Sequence, residues 1–415
     1  MSADQGVLEA LVPRCLLALP ARHAVPAAGG EGLTAIRLQW SDGRLVAPVP
    51  LAEPPANLPL VLPRLADPHV HLDKAFTWLE HPNPAGTYGG AMAANLVEHG
   101  SRTRELVLER GERALQLACR QGLRALRSHI DSLGPGAACS WQALLELKDR
   151  WRGRIELQLV ALVPIQHWAT AEGATLAQEV AASGGLLGGV LVPPFHGFRV
   201  REALRAQLRL AQEFGCGIDL HIDESDAHPA AGLRHLLAVL EREGASVSLT
   251  CSHLSSLGLV APRARQRLCE RMARQQLKVV ALPLTNAWLL GRQPGETPIS
   301  RPLAPIRGLQ RAGVCVAVGA DNVADPWFPA GNFDPMALMA SCLPLAQLAP
   351  WQRLGLMPFT TAAASLMDLA WDGVIAAGAP ADLIVLDVGS WSEALMRPPE
   401  RRILIGGRWW LPSNR

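Results

Sequence analysis

Two histidines separated by one residue are the first feature of this sequence that could carry out chemistry. His69 and His71 end the short apolar segment 65–71. Successive side chains of a β-strand point to opposite faces, so the two imidazoles share one face of a strand. Imidazole is the commonest metal ligand among protein side chains. The pair predicts two nitrogen ligands directed at one point, and the alternative is a pair of solvated histidines.

Four other apolar segments also end in residues that bind metals or transfer protons. The residues concerned are His129 and Asp131, His221 and Glu224, His253, and Asp321 with Asn322. If these segment ends converge with the first pair, three neutral imidazoles and one carboxylate surround a divalent ion and leave one position for water. The convergence depends on the fold that holds the segments.

Strand-like and helix-like patterns alternate through the middle of the chain. Besides the segment at His69, the strand candidates are 122–131, 155–163, 188–193, 217–222, 246–253, 278–284 and 314–321. Amphipathic helices such as 105–120, 202–214, 232–243 and 263–274 separate them. Eight strands of this kind predict an α/β fold, a (β/α)8 TIM barrel, whose active sites lie at the carboxyl ends of the strands. A doubly wound sheet is the alternative.

Both ends of the chain have β-strand patterns. Ile36, Leu38 and Trp40 alternate with polar residues before an Asp42-Gly43 turn, and segments 382–387 and 403–410 continue the pattern near the far end. We expect the two ends to form one small β-sandwich domain. The predicted domains are therefore 1–65 and 373–415 for the β-sandwich and 66–372 for the catalytic barrel.

The composition limits the possible partners and the location. The chain has 415 residues, 49% of them hydrophobic, and a net charge of +2 without a basic block, so no nucleic-acid partner is expected. No apolar run approaches the ~20 residues that span a bilayer, and charges and prolines interrupt the apolar stretch 7–25, which we interpret as folded structure. Eight scattered cysteines without a Cys-x-x-Cys pair indicate reduced thiols and a cytoplasmic location. We also expect a homo-oligomer.

The set of strand-end residues resembles that of the amidohydrolase superfamily, in particular bacterial cytosine deaminases and N-isopropylammelide-type aminotriazine hydrolases. Residues 221–224 match the His-x-x-Glu pattern of that family. Residues 283–292 resemble its seventh-strand signature, and residues 325–329 resemble the loop after its eighth strand. The resemblance covers most of the chain.

The resemblance implies specific roles. His69, His71, His221 and Asp321 would bind one Fe²⁺ or Zn²⁺, which lowers the pKa of a bound water toward ~7. Asp321 and His253 would accept its proton, and Glu224 would protonate a ring nitrogen and help ammonia leave. A second metal is not expected, because the dinuclear relatives use a carboxylated lysine on strand 4 and this sequence has none there. Substrate contacts would come from Asn322, Trp327, Gln166 and Asn286.

Several of these residues have simpler explanations. His129 and Asp131 could either support a metal ligand through hydrogen bonds or touch the substrate. Glu224 could be a helix N-terminal carboxylate, and His253 could be a hydrogen-bonded core residue. Trp327, in a loop between prolines, could pack in the core or form an aromatic wall for a planar ligand.

Two departures from the cytosine deaminase pattern concern the substrate. Asn322 stands where those enzymes have a second aspartate, and one additional residue separates Gln166 from its preceding proline. We therefore expect a hydrolytic deaminase that releases ammonia from a cytosine-like aminated heterocycle, with cytosine itself a poor substrate. The alternatives are a hydrolase of substituted aminotriazines, and a catalytically inactive binding protein of the same fold.

Overall fold

The computed structural model describes residues 5–19, 30–244 and 246–411. The chain divides into two compact units. One unit contains Met1–Ala66, Leu117–Arg124 and Phe333–Arg415, and the other contains Asp67–Gln116 and Ala125–Asn332. The domain boundaries expected from sequence, after residues 65 and 372, stay predictions.

The larger unit is built on eight parallel strands, which confirms the barrel predicted from the sequence. In chain order with the strands of the other unit they are β6 (Leu65–Val70), β7 (Leu123–Asp131), β8 (Glu156–Leu162), β9 (Leu186–Leu191), β10 (Ile218–Ile222), β11 (Leu249–His253), β12 (Lys278–Ala281) and β13 (Cys315–Val318). They pair in sequential order from β6 to β13. An isolated parallel bridge joins Val70 of β6 to Asp321 in the segment after β13, so the sheet closes on itself.

Helices connect the barrel strands. They are α1 (Tyr88–Gly100), α2 (Arg104–Arg120), α3 (Ala137–Arg150), α4 (Ala171–Ala182), α5 (Gly197–Phe214), α6 (Ala231–Glu243), α7 (Pro262–Arg274), α8 (Pro283–Leu289) and α9 (Ile306–Arg311). The predicted helices at 105–120, 202–214, 232–243 and 263–274 correspond to α2, α5, α6 and α7. Gly215, with φ of 68°, ends α5 in the left-handed conformation that glycine adopts without steric cost.

The barrel strands are apolar because helices and side chains cover both of their faces. Every residue of β10 and of β11 is buried. Such strands have continuous hydrophobic runs rather than alternating patterns. Their polar residues are exceptions to this rule, and those residues form the candidate site.

The smaller unit contains strands from both ends of the chain, as the sequence predicts. These are β1 (Gly6–Pro13), β2 (Leu33–Ser41), β3 (Arg44–Leu45), β4 (Val49–Pro50), β5 (Leu60–Pro63), β14 (Leu383–Leu386), β15 (Arg401–Ile405) and β16 (Arg408–Trp409). Its helices are α10 (Pro335–Ala346), α11 (Arg353–Leu356), α12 (Thr361–Leu366) and α13 (Trp391–Met396). The strand order is β16-β15-β14-β5-β1-β2-β3, with β4 also paired to β2.

Residues from both chain ends share the hydrophobic core of this sheet. Ile36, Leu38 and Trp40 of β2 are buried in one cluster with Leu383 and Leu404 from the far end. Asp42 and Gly43, with φ of 51° and 72°, form the predicted two-residue turn between β2 and β3.

The lengths and compositions of the helices also bear on membrane association. Within the described ranges, no helix combines the length and the apolar character that crossing a bilayer requires.

Candidate active site

Four side chains at the carboxyl end of the barrel form a compact cluster. Nε2 of His69 and Nε2 of His71 lie 3.5 and 3.3 Å from Oδ1 of Asp321. Nε2 of His71 lies 3.4 Å from Nε2 of His221. One ligand atom from each of the three histidines lies within 4.8 Å of the other two. The structure thus brings the four predicted metal ligands to one point, at separations that a single ion can bridge.

The protonation states in this cluster suit a metal ion. Burial, and after it the neighbouring imidazoles, hold the pKa of His69 and the pKa of His221 well below their ordinary values, so both rings are neutral. Burial acts to raise the pKa of the Asp321 carboxyl, but the hydrogen bond from His71 and the charge of His253 hold this pKa below its ordinary value. Nε2 of His69 is buried and has no hydrogen-bond partner among the described residues. Neutral imidazoles and an ionised carboxylate are the forms in which these side chains bind a divalent cation.

A buried hydrogen-bond chain fixes the orientation of His69. Ser252 Oγ donates to Oδ1 of Asp219 at 2.7 Å and lies 2.9 Å from Nδ1 of His69. Because the hydroxyl has a single proton, it accepts from His69 Nδ1, and the lone pair of His69 is on Nε2. Arg127 Nη1 donates to the other oxygen of Asp219 at 2.9 Å. Such support of a metal-binding histidine is a common feature of metal sites.

Glu224 and His253 form a second pair beside the cluster. Oε1 of Glu224 lies 3.5 Å from Nδ1 of His253. Burial, and then the nearby Asp321 carboxylate, raise the pKa of Glu224 well above its ordinary value, which favours the protonated form of this carboxyl. Burial lowers the pKa of His253 to about 4, although Asp321 acts in the opposite direction. A carboxyl with a raised pKa beside an imidazole with a lowered pKa is an arrangement suited to acid–base chemistry.

Asn286 forms a hydrogen bond with His253. Its Nδ2 donates to Nδ1 of His253 at 3.0 Å, and its side chain is buried. Since Nδ1 is the acceptor, the proton of the neutral imidazole is on Nε2. The geometry therefore connects Asn286 to the orientation of His253, whereas the sequence predicted a substrate contact.

His253 and Asp321 also have an unusual backbone conformation, with φ of 71° and 65°. Left-handed conformations cost energy for residues other than glycine and concentrate at functional sites. The sequence gives no signal for this feature.

A cavity of about 530 Å³ opens above the cluster. The predicted site residues that line it are His71, His221, Glu224, His253, Asp321, Asn322, Trp327 and Gln166. A volume of this size is typical of small-molecule sites. His196, which precedes α5, also lines the cavity.

Trp327 fits both of its predicted explanations. Its ring packs edge-on against Tyr88, with centroids 5.0 Å apart and planes at 78°, and it also lines the cavity. Asn322 lines the cavity as well, but its Nδ2 donates to Oδ2 of Asp325 at 2.8 Å. Burial raises the pKa of Asp325 to about 6. Asn322 therefore has a structural partner besides any substrate contact.

His129 and Asp131, at the end of the second barrel strand, have different surroundings in the structure. His129 is fully buried and stacks on His69, with centroids 3.9 Å apart, which favours a supporting role. Asp131 lines the cavity but accepts from Lys74 Nζ at 2.9 Å.

Lys74 is a cavity residue that the sequence analysis missed. It belongs to a buried network of charges with Asp73, Glu98, Arg102 and Asp131. A signal was present, because Lys74 is one of only three lysines in the chain and lies three residues after His71.

The parallel barrel, the strand-end histidines and the buried aspartate together define a class, the hydrolases with a metal centre at the carboxyl end of a (β/α)8 barrel. The chain belongs to the amidohydrolase family, because the model of that family matches residues 144–408, more than half of the chain. Members of this family are metal-dependent hydrolases of C–N bonds.

Curated relatives and solved structures agree with this assignment. The chain is 32% identical over 388 residues to a pterin deaminase of Rhizobium rhizogenes (strain K84), with 90% of this chain and 87% of the relative covered. It is 24% identical to the N-isopropylammelide isopropyl amidohydrolase of Pseudomonas sp. (strain ADP), covering 83% and 84% of the two chains. Its fold resembles that of 5-methylcytosine deaminase from Klebsiella pneumoniae with a TM-score of 0.82 at 23% identity, covering 98% and 97% of the two chains.

Proposed function

We propose that this protein is a metal-dependent hydrolytic deaminase of an aminated nitrogen heterocycle, with 2-amino-4-oxo rings such as pterin as the leading candidates. The observation that carries the proposal is the pair of Glu224 and His253, 3.5 Å apart, beside the cluster of His71 and Asp321. The similarity to a pterin deaminase over nine-tenths of the chain supports the ring class.

His69, His71, His221 and Asp321 would hold the divalent metal. When bound, Fe²⁺ or Zn²⁺ supplies a nucleophilic hydroxide at neutral pH and polarises the bond under attack. Nε2 of His69 already points its lone pair toward the other ligands, because Ser252 accepts the proton of Nδ1.

Proton transfer would depend on Asp321 and Glu224. The lowered pKa of Asp321 keeps this carboxyl ionised, so it can accept a proton of the attacking water, whereas the raised pKa of Glu224 favours its protonated form. Glu224, whose raised pKa favours the protonated form, would give its proton to the ring nitrogen next to the attacked carbon. Asp321 would pass the water proton to the amino group, which leaves as ammonia, and Glu224 would regain a proton from the hydroxyl group as the carbonyl forms. His253 would present its Nε2 proton to the attacking oxygen and orient it. We therefore assign the proton-acceptor role to Asp321, whereas the resemblance implied that Asp321 and His253 share it.

The remaining predicted contacts would position the ring. Trp327, held edge-on by Tyr88, offers an aromatic wall, and Asn322 and Gln166 offer amides at the cavity surface. A planar aromatic substrate fits such a wall because offset stacking adds to the burial of apolar area.

A screen of substrates tests the proposal. Purified protein loaded with Fe²⁺ or Zn²⁺ should release ammonia from at least one aminated ring among pterin, guanine, isocytosine, cytosine and ammeline. Cytosine should not have the highest kcat/KM of the panel, because the amide of Asn322 replaces a carboxylate that could accept a charge-assisted hydrogen bond. A matched Glu224→Gln preparation provides the background rate.

The second candidate is hydrolysis of an N-alkylated aminotriazine, which the similarity to the N-isopropylammelide enzyme favours. Release of isopropylamine from N-isopropylammelide, faster than ammonia from any ring of the panel, would establish it. Full metal content with no release of ammonia or amine would instead indicate an inactive binding protein.

A further inference from the structure

Lys74 presents a cation at the wall of the cavity. The residue is 2% exposed, lines the cavity, and has Nζ 6.0 Å from the centroid of the Trp327 ring. An ammonium group has three N–H donors. One donates to Oδ1 of Asp131 at 2.9 Å, and Nζ makes no other hydrogen bond within the described part of the chain. Donors thus remain for a molecule in the cavity.

The network around Lys74 holds it in place. Asp131 also accepts from Asn95 Nδ2 at 3.2 Å and from Arg102 Nη2 at 3.0 Å. Arg102 in turn donates to Asp73 at 2.7 Å, and Asp73 accepts from the backbone N of Asp131 at 2.9 Å. Donors fixed by such contacts lose little conformational entropy when a ligand binds.

The charges of this network are balanced. Three cations, Lys74, Arg102 and Arg110, pair with three carboxylates, Asp73, Glu98 and Asp131. A cation without a partner would attract an anionic ligand, whereas Lys74 is already neutralised by Asp131. Its remaining N–H groups are therefore suited to a neutral acceptor.

We propose that Lys74 donates a hydrogen bond to a ring carbonyl oxygen of the substrate and selects oxo-substituted rings over fully aminated ones. The inference rests on the proposed deaminase function and names a specificity determinant for it. An amino group in place of the carbonyl would direct its N–H bonds at an ammonium, so two donors would face each other. Sites built to hydrogen-bond one group discriminate strongly against an analogue that cannot complete the bond.

Matched substrate pairs test this assignment. Pterin and 2,4-diaminopteridine differ at one ring position, which has a carbonyl beside a ring N–H in pterin and an amino group beside an unprotonated ring nitrogen in 2,4-diaminopteridine. Ammeline and melamine differ in the same way among the triazines. The pair is taken from the ring class that the wild-type protein turns over. Wild-type protein should prefer the oxo member, and Lys74→Met should lower kcat/KM for that member by about 10- to 100-fold. Turnover of the amino member should change much less.

Controls separate specificity from folding. The ratio of the two kcat/KM values within one preparation does not depend on the fraction of folded protein. Lys148→Met removes a lysine that lies outside the cavity and donates to the backbone oxygen of Ser183 at 3.0 Å, and it should leave the ratio unchanged. Equilibrium binding of pterin to the metal-free protein, weakened in Lys74→Met alone, gives a readout without turnover.

The outcomes distinguish the two proposals. An unchanged ratio in Lys74→Met, or a wild-type preference for the amino member, overturns the role of Lys74 and leaves the deaminase function intact. Absence of turnover and binding across the whole panel overturns both.

Discussion

Ser252 fixes the tautomer of His69. The hydroxyl donates to Asp219 and therefore accepts from Nδ1 of His69, 2.9 Å away, so the lone pair on Nε2 faces the other metal-ligand side chains. Ser252, which is not itself a predicted metal ligand, should therefore affect the affinity of the site for a metal ion.

Replacing Ser252 by alanine should weaken metal binding by about 10- to 100-fold, the usual effect of losing a hydrogen bond to a metal-binding histidine. The change removes the acceptor that holds the proton on Nδ1. Competition with a chelator of known affinity measures the effect. Ser256→Ala is the matched control, because Ser256 is equally buried and accepts from the backbone N of Ala230 instead. Equal metal affinity in the two variants would contradict the tautomer argument.

Replacing His71 or Asp321 by alanine should remove both the bound metal and the activity. Each variant removes one of the four predicted metal ligands, so three ligands remain to hold the ion. Elemental analysis of the wild type should give one divalent ion per chain. His235→Ala, on the partly exposed helix α6, should keep its metal. Retention of full metal content in both site variants would refute the assignment.

Replacing Glu224 by glutamine should leave metal content and fold unchanged and reduce turnover by about 10²- to 10⁴-fold, the range of positioned acid–base catalysis. The amide keeps the shape of the side chain but cannot deliver a proton. Steady-state rates and metal analysis on one preparation measure both effects. Glu241→Gln, on the exposed surface, is the control. Near-normal turnover would transfer the proton-shuttle role to His253.

Replacing Asn322 by aspartate should destabilise the protein by about 1–3 kcal/mol, because a carboxylate then faces Asp325 without a proton between them. Burial already raises the pKa of Asp325 to about 6. Repulsion requires both groups to be ionised, so the loss should be larger at about pH 8 than at about pH 5. Thermal unfolding at the two pH values measures the difference.

The exchanged pair Asn322→Asp with Asp325→Asn provides the control for this experiment. Asn at position 325 can donate to the new carboxylate and still accept from the backbone N of Trp327, as Asp325 now does at 2.9 Å. The double variant should recover most of the stability. If the single variant is as stable as wild type at both pH values, the hydrogen bond of Asn322 to Asp325 is unimportant.

The barrel and the converging residues were predictable because both follow from local patterns. Apolar runs mark the strands, and the ligand-type residues stand at their ends. Strand β9 was predicted two residues late, at 188–193, whereas it comprises Leu186–Leu191 in the structure. In the structure a Cβ at Gly188 would lie 2.4 Å from the backbone oxygen of Ala161, so the neighbouring strand requires glycine there.

The charge network beside the cavity could not be predicted in the same way. Lys74, Arg102 and Asp131 are far apart in the sequence and meet only because the segment after β6, the segment after α1 and the end of β7 approach one another. Helix α1 itself was missed, since two glycines follow its first residue and oppose helix formation. The pairing of Asn322 with Asp325 was missed because the residue looked like a substrate contact.

The barrel closes where Asp321 N donates to the backbone oxygen of His69 at 2.9 Å. The side chains of the same two residues belong to the metal-ligand cluster. An ion bound there would connect the first and last segments of the barrel. It would close a loop that includes almost the whole larger unit. Because such a site rarely exists in the unfolded chain, the binding energy of the ion becomes folding energy. Metal loading would then set the resistance of the barrel to heat and proteolysis as well as its chemistry.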